Sequence, residues 1–195
     1  MSAQYLQDWL SDADAPLTWR LDKSKSGSGS LGDIGAHSID AAQWITGHNI
    51  TGVSALLETF VKERTPIGIF EATRFALGRK NAVRLELNGT KGSIAFDFED
   101  MNYLQFYDSA LEPDAGIRKI MVTEPSHPYA GNWWPTGHGL GYEHGFTHQV
   151  VDLVTAIGAG EQPSPTFADG LQVQKVLAAA EASAENASHW QNEAL

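Results

Sequence analysis

The chain has 195 residues, and 13 Lys and Arg against 24 Asp and Glu give a formal net charge of −11. This acidic balance argues against binding to nucleic acids and to anionic membrane surfaces, both of which require a basic face. Cysteine is absent, which excludes disulfides, thiolate zinc sites and cysteine nucleophiles. The hydrophobic content of 42% is typical of a globular protein, and the length predicts one domain over residues 1–195.

The first ten residues contain no basic segment followed by an apolar one, so we expect no signal peptide. No apolar run approaches the ~18 residues of a membrane span. We therefore predict a cytoplasmic protein that contacts no membrane.

The first predicted elements are a strand and a helix. Residues 3–10 alternate as a strand does, with Tyr5, Gln7 and Trp9 on one face. The Ser- and Gly-rich residues 24–30 are either a flexible linker or an ordered loop that leads into the helix. The helix spans 31–47 and ends at Gly47. Its predicted apolar stripe consists of Ile34, Ala41, Ala42 and Ile45.

Consecutive strands are predicted next, at residues 49–63, 67–77, 82–98, 103–108 and 117–124. The clearest hairpin places its turn at Asn88-Gly89, between two segments that alternate apolar and polar residues. Short connections between such strands favour antiparallel pairing.

Two further helices are predicted at residues 146–160 and 168–190. The first carries an apolar stripe that consists of Phe146, Val150, Leu153, Val154 and Ile157. The order of elements predicts an α+β fold with an open, mainly antiparallel sheet and helices packed on one face.

Asp33 and His37 are four residues apart on the first helix and therefore share a face. A carboxylate one turn from an imidazole can orient the imidazole and stabilise its protonated form, as a general acid/base requires. The alternative is that Asp33 caps the helix and His37 is a partly buried surface residue.

A second cluster of titratable side chains includes His138, Glu143, His144 and His148. The spacing of His144 and His148 could bind a metal ion, although the segment lacks the HExxH pattern. Alternatively, the histidines and the nearby tryptophans form an aromatic, hydrogen-bonding loop against the helix at 31–47.

A third set near the N-terminus could bind a sugar. An indole face at Trp9 suits the apolar side of a sugar ring, and Gln7, Arg20 and Lys23 offer donors for its hydroxyls. The alternative is that Trp9 anchors the strand in the core and that the cationic side chains are solvated.

Three segments of the sequence, residues 19–47, 70–100 and 127–157, resemble the substrate-binding half of the Gfo/Idh/MocA oxidoreductases. Within this family the resemblance is closest to the levoglucosan-dehydrogenase-like sugar dehydrogenases, and its most specific part is the element GDIGAH at 32–37. The resemblance implies an α+β domain that binds a sugar or polyol. It also implies oxidation of a substrate hydroxyl by hydride transfer to NAD or NADP.

By this resemblance, His37 and Asp33 are catalytic. His37 takes up the hydroxyl proton, and Asp33 orients the imidazole and binds an adjacent hydroxyl. Gln7, Trp9 and Arg20 match sugar-contacting positions, and Lys23 is a weaker match.

The sequence departs from the family in two places. It contains no dinucleotide-binding domain, so we expect that the chain cannot bind the cofactor alone. The junction at 65–66 also looks shortened. The prediction is therefore the incomplete substrate domain of an NAD(P)-dependent sugar or polyol dehydrogenase, inactive alone.

Two alternatives stay open: a non-catalytic sugar-binding or oligomerisation module, and a metal enzyme built on His138, His144 and His148. The alternating strands need a cover on each apolar face, which predicts a homo-oligomer formed through the sheet.

Overall fold

The computed structural model of the chain describes residues 2–7, 18–19, 23–57, 71–74, 76–89, 91–111 and 116–192. It divides into two compact units. Arg84–Thr166 form one of them, which we call the sheet unit. Ser2–Val83 together with Phe167–Leu195 form the other, which we call the helix unit.

The helices and strands follow in chain order. They are β1 (Ser2–Leu6), α1 (Lys23–Ser26), a π-helical turn (Leu31–Gly35), α2 (Ala36–Thr46), β2 (Gly52–Val53), β3 (Glu71–Thr73), β4 (Ala82–Gly89), β5 (Gly92–Asp97), β6 (Tyr103–Asp108), β7 (Arg118–Met121), α3 (Tyr142–Ala159), α4 (Phe167–Glu185) and β8 (Gln191–Asn192). Short 3₁₀ turns lie at Phe98–Asp100 and Ala130–Asn132.

Six strands form one open sheet in the order β3-β1-β4-β5-β6-β7, and β2 pairs separately with β8. The pairs β4/β5, β5/β6 and β6/β7 are antiparallel, whereas β1 and β3 are parallel. These elements confirm the predicted α+β class with an open, mainly antiparallel sheet.

The sheet unit separates apolar from polar side chains as the alternation predicts. Leu85, Phe96, Leu104 and Ile120 stand opposite one another across its four strands. The next row on the other face is polar at Glu86, Gln105 and Lys119. No residue of β5, β6 or β7 is fully buried, so the apolar face is only partly covered within the described chain.

The turn predicted at Asn88-Gly89 is wrong. Asn88 pairs with Ser93 and Gly89 pairs with Gly92, so β4 continues through the predicted turn. Cross-strand pairing of the alternating side chains sets the register, and it overrides the local turn preference of the Asn-Gly sequence.

The helix unit has a well-buried core between α2 and α4. Ile39 of α2 packs with Val173, Val176 and Leu177 of α4, and each of these four residues is less than 7% exposed. Gly47 ends α2 in a left-handed conformation with φ 66°, as predicted. Residues 23–30 form α1 and a turn, which matches the ordered-loop alternative.

The buried face of the first helix differs from the predicted stripe. Ile34 and Ala42 are buried, but Ile45 is 36% exposed and Ala41 is half-buried. The π-helical turn inserts an extra residue before α2 and so rotates the side chains that precede it relative to those that follow.

Helix α3 begins at Tyr142, four residues before the predicted start, and none of its residues is buried. Its predicted apolar stripe is 45–67% exposed. The predicted stripe lies on a helix as expected, but no described residue buries it.

The strand predicted at 49–63 is short, because only Gly52–Val53 are extended among residues 49–57. Residues 58–70 lie outside the described chain, as does the predicted shortened junction at 65–66. Among the described residues, no helix is long and apolar enough to span a membrane.

Candidate functional site

The parallel strands β1 and β3 bring two polar side chains to one edge of the sheet. Leu6 pairs with Thr73, and Gln7 and Arg74 are the residues that follow immediately. The Gln7 N–H donates to the carbonyl of Thr73 at 2.7 Å, which holds this edge together. Carboxyl ends of parallel strands are a common position for ligand sites, because several side chains converge there.

The π-helical turn Leu31–Gly35 packs closely against β3. A Cβ atom at Gly35 would lie 3.5 Å from the Cβ of Ala72 and 3.2 Å from Cδ1 of Leu31, so glycine permits this approach. The approach brings Asp33 beside Arg74, at the same edge of the sheet.

Asp33 forms an ion pair with Arg74. The Arg74 side chain is only 4% exposed, whereas that of Asp33 is 51% exposed. A buried guanidinium requires a charged partner, and this pair fixes the Asp33 carboxylate at Oδ2. Among the described residues, Arg74 is the ion-pair partner of this carboxylate.

His37 lies one turn after Asp33 and is exposed. Its ring lies 5.9 Å from the ring of Tyr5, and its nitrogens form no hydrogen bond with a described residue. The side chains of Tyr5 and Gln7 both donate to Oδ1 of Asn81, at 2.8 and 3.2 Å. These contacts place an imidazole, a phenol and two amides in one region.

The carboxylate of Asp33 pairs with Arg74, and the orientation of the His37 imidazole by Asp33 stays a prediction. Both side chains are exposed.

The other predicted site residues have different outcomes. Gln7 lies at this edge and is half-buried. Trp9 and Arg20 lie outside the described residues, and only the backbone of Lys23 is described, in α1. Sequence reasoning missed Arg74, Tyr5 and Asn81. The strand predicted at 67–77 contains Arg74, whereas the observed strand β3 ends at Thr73, so the sequence did not place Arg74 at a strand end.

The histidine-rich segment forms a local aromatic cluster. Nε1 of Trp133 donates to Nε2 of His148 at 2.7 Å, and Trp133 packs edge-on against His144 at 4.3 Å. Nδ1 of His138 bonds instead to the carbonyl of Pro135. The metal-site alternative for His138, His144 and His148 is wrong, because no group of three possible ligands exists among the described residues.

The described residues do not fit a dinucleotide. Among the described residues, the glycine-rich segments 27–32 and 137–141 precede helices, and neither directly follows a strand. Space beside Gly32, where a pyrophosphate would need close access to the backbone, is filled by Oγ of Ser28.

Comparisons with known proteins show which family this chain resembles. The model of the GFO/IDH/MocA C-terminal domain matches residues 1–95. Levoglucosan dehydrogenase from Pseudarthrobacter phenanthrenivorans is 35% identical over 207 residues, which cover 87% of this chain and 53% of that protein.

Solved structures show the same similarity in three dimensions. An oxidoreductase domain protein from Kribbella flavida is 56% identical, with a TM-score of 0.93 over 100% of this chain and 59% of its own. A levoglucosan dehydrogenase in complex with NADH and levoglucosan is 35% identical, with a TM-score of 0.90 over 100% of this chain and 58% of its own. The chain thus spans about half the length of the curated relative that it matches.

Proposed function

This chain belongs to the GFO/IDH/MocA family through its C-terminal domain, and from that premise we propose that it is the substrate-binding part of an NAD(P)-dependent sugar or polyol dehydrogenase. One substrate domain over residues 1–195 is part of this proposal. The proposal rests on one observation. His37 and Asp33 are both exposed and lie four residues apart, and the buried Arg74 forms an ion pair with the Asp33 carboxylate.

Each of these residues has a role in the proposed reaction. Oxidation of a secondary alcohol removes a proton from oxygen and a hydride from carbon. His37 takes the proton, since its exposed ring nitrogens are uncommitted among the described residues. Oδ1 of Asp33 accepts a hydrogen bond from the neighbouring sugar hydroxyl, and Arg74 keeps that oxygen in position. Gln7 is a further sugar contact, together with Trp9, Arg20 and Lys23.

In this proposal the hydride acceptor binds to a part of the enzyme outside the described residues. We therefore assign this chain the binding and proton-transfer half of the reaction, and expect no turnover from it alone. Titration with NADH and NADPH, followed by cofactor fluorescence, should show no saturable binding below about 1 mM. Micromolar affinity would contradict this assignment.

Sugar binding is tested with levoglucosan and L-sorbose, which are present in complexes of the related dehydrogenase. Calorimetric titration of the chain should detect levoglucosan, and Arg74→Met should weaken its binding by about tenfold because Asp33 loses its partner. Arg79→Met is the matched control and should leave binding unchanged. Equal affinity in both variants would remove Arg74 and Asp33 from the site.

Proton transfer is tested separately, with the dinucleotide-binding part of the Pseudarthrobacter enzyme supplied in trans. His37→Asn should lower turnover by roughly 10²-fold or more while sugar affinity changes little. His48→Asn changes an exposed histidine just after the same helix and should have no effect.

The second candidate function is a non-catalytic sugar-binding module. One observation favours it, because Asp33 bonds to Arg74 and leaves the His37 ring without the carboxylate that would orient it. Normal levoglucosan binding, with no turnover by the wild-type chain in the trans assay, would select this candidate.

We also propose that the chain forms a homo-oligomer through the apolar face of the sheet. This proposal is supported by the half-buried row of Leu85, Phe96, Leu104 and Ile120, which lacks complete cover among the described residues. Ile94→Asp on this face should shift the mass from light scattering to that of a monomer, whereas Gln105→Asp on the polar face should not. A monomeric wild-type protein would contradict the proposal.

A cytoplasmic location stays a prediction, which fractionation of cells that express the natural protein would test.

A further inference from the structure

The sheet unit contains a half-open cavity of about 380 Å³ that is lined by none of the proposed sugar-binding residues. Most of its wall is apolar and is formed by Met101, Leu104, Val122, Pro128 and Leu140. Small-molecule sites in proteins are typically cavities of roughly 300–1,000 Å³ with apolar walls and a few fixed polar groups. The volume and the wall of this cavity fit that description.

Two imidazoles line the cavity, and their hydrogen bonds fix where each neutral ring carries its proton. Nε2 of His148 accepts a hydrogen bond from the indole of Trp133 at 2.7 Å, so its proton resides on Nδ1. Nδ1 of His127 accepts from the backbone N–H of Glu124 at 3.2 Å, so its proton resides on Nε2. Neither of these N–H groups has an acceptor among the described residues, so both are available to a ligand.

The wall beside His148 is held in an uncommon conformation. Tyr129 has a backbone φ of 64°, in the left-handed region that non-glycine residues rarely occupy. Its ring stacks on His148 at 4.2 Å, and its hydroxyl donates to Asp152 at 2.7 Å. Such conformations cluster at ligand sites, where surrounding contacts hold them.

The negative charge of the protein limits the kind of ligand that this cavity can bind. The chain carries a net charge of −11, and the carboxylates of Glu124 and Asp152 belong to residues that contact the groups lining the cavity. These charges repel an anion, and the apolar wall disfavours a polyol.

We propose that this cavity binds a small uncharged molecule with an apolar body and one carbonyl oxygen, which accepts hydrogen bonds from His127 and His148. The inference does not depend on the proposed sugar site, because every residue involved belongs to the sheet unit and none is assigned to that site. Leu104 is the one residue shared with the proposed oligomer face.

Three probes of similar size separate the contributions of an aromatic ring, a carbonyl oxygen and a negative charge to binding. Acetophenone has a ring and a carbonyl, ethylbenzene has the ring without an acceptor, and benzoate has the ring with a negative charge. We expect acetophenone to bind to the full chain with a dissociation constant on the order of 1 mM or below. Ethylbenzene should bind about three- to tenfold more weakly, since it leaves the imidazole N–H groups without an acceptor. Benzoate should bind more weakly than acetophenone.

The affinities are measured by the NMR shifts of the histidine ring protons. His127→Phe keeps a flat ring but removes the hydrogen-bond donor. It should therefore weaken the binding of acetophenone and leave the binding of ethylbenzene unchanged. Leu104→Trp fills the cavity and should weaken the binding of both probes. His189→Phe, in the helix unit, is the matched control and should change neither.

Two results would overturn the proposal: an absence of acetophenone-dependent shifts at His127 and His148, or equal affinities for acetophenone and ethylbenzene. Circular dichroism of each variant verifies that it is folded. Failure here would leave levoglucosan binding at Asp33 unaffected, so the two proposals fail separately.

Discussion

The two long helices of this chain place their apolar residues in opposite ways. In α4, Val173, Val176 and Leu177 are 3–6% exposed and pack on α2. In α3, Val150, Val154 and Ile157 are 60–67% exposed, and the side chains that make contacts are polar or aromatic. Similar apolar patterns thus lead to a buried core at α4 in the helix unit and to an exposed surface at α3 in the sheet unit. The contrast indicates that the helix unit completes its own core, whereas the sheet unit needs an additional covering surface.

The largest expected effect compares truncations on the two helices. Leu177→Ala should lower the free energy of unfolding by about 3 kcal/mol, because it leaves a cavity in the helix-unit core. Val154→Ala on α3 should change it by less than about 0.5 kcal/mol, since its side chain is already in water. Urea denaturation of both variants measures the difference, and comparable losses would mean that α3 is covered in solution.

A smaller effect is expected at Ser183, a polar residue of α4 that is completely buried. Its hydroxyl accepts from the N–H of Ala55 at 2.9 Å and donates to the carbonyl of His189 at 2.8 Å. Ser183→Ala leaves both groups without a partner and should cost about 2 kcal/mol in urea denaturation. Ser54→Ala removes an exposed hydrogen bond and should cost much less. Equal costs would contradict this account.

Glycine substitutions in α3 should have a still smaller effect. A Cβ at Gly158 meets nothing within 4 Å, so Gly158→Ala should stabilise the helix by roughly 0.5–1 kcal/mol. Gly160 ends α3 with φ 71°, so Gly160→Ala should destabilise it by a similar amount. Thermal melts compare the two, and a destabilised Gly158→Ala would show that a partner occupies the space beside Gly158.

The smallest effect concerns pH in the sheet unit. The hydrogen bond to Asp152 raises the pKa of Tyr129 above the ordinary value of tyrosine. A raised pKa in the folded state means that this bond stabilises the protein fully below the pKa of an unfolded tyrosine. The stabilisation is lost as pH rises through the pKa of the folded state. Tyr129 is 40% exposed, so screening keeps the effect small.

Ultraviolet titration of tyrosinate tests this assignment. Asp152→Asn should lower the pKa of Tyr129 towards the ordinary value. An unchanged titration would mean that another group raises it.

The sequence predicts regular elements well because their periods are local. The alternation of Leu85 with polar neighbours specifies a strand, and Gly47 marks a helix end. The stripe of α3 shows the limit of this reasoning. A period of 3.6 residues tells which side chains share a face, but it does not tell what covers that face.

The candidate site was only partly predictable for a similar reason. The spacing of Asp33 and His37 predicts a common helix face, and both side chains are exposed. The partner of Asp33 is Arg74, which a parallel pairing of β1 with β3 delivers from a distant part of the chain. No local pattern connects these two residues, so their ion pair required the three-dimensional structure.

The discontinuity of the helix unit has a consequence for synthesis on the ribosome. The sheet unit is one continuous stretch, Arg84–Thr166, whereas Ile39 must find its core partners on α4 beyond the end of that stretch. The sheet unit can therefore fold while the apolar side chains of α2 are still exposed. Until α4 emerges, the nascent chain displays the apolar side of α2, and a holdase chaperone that binds there would protect it during translation.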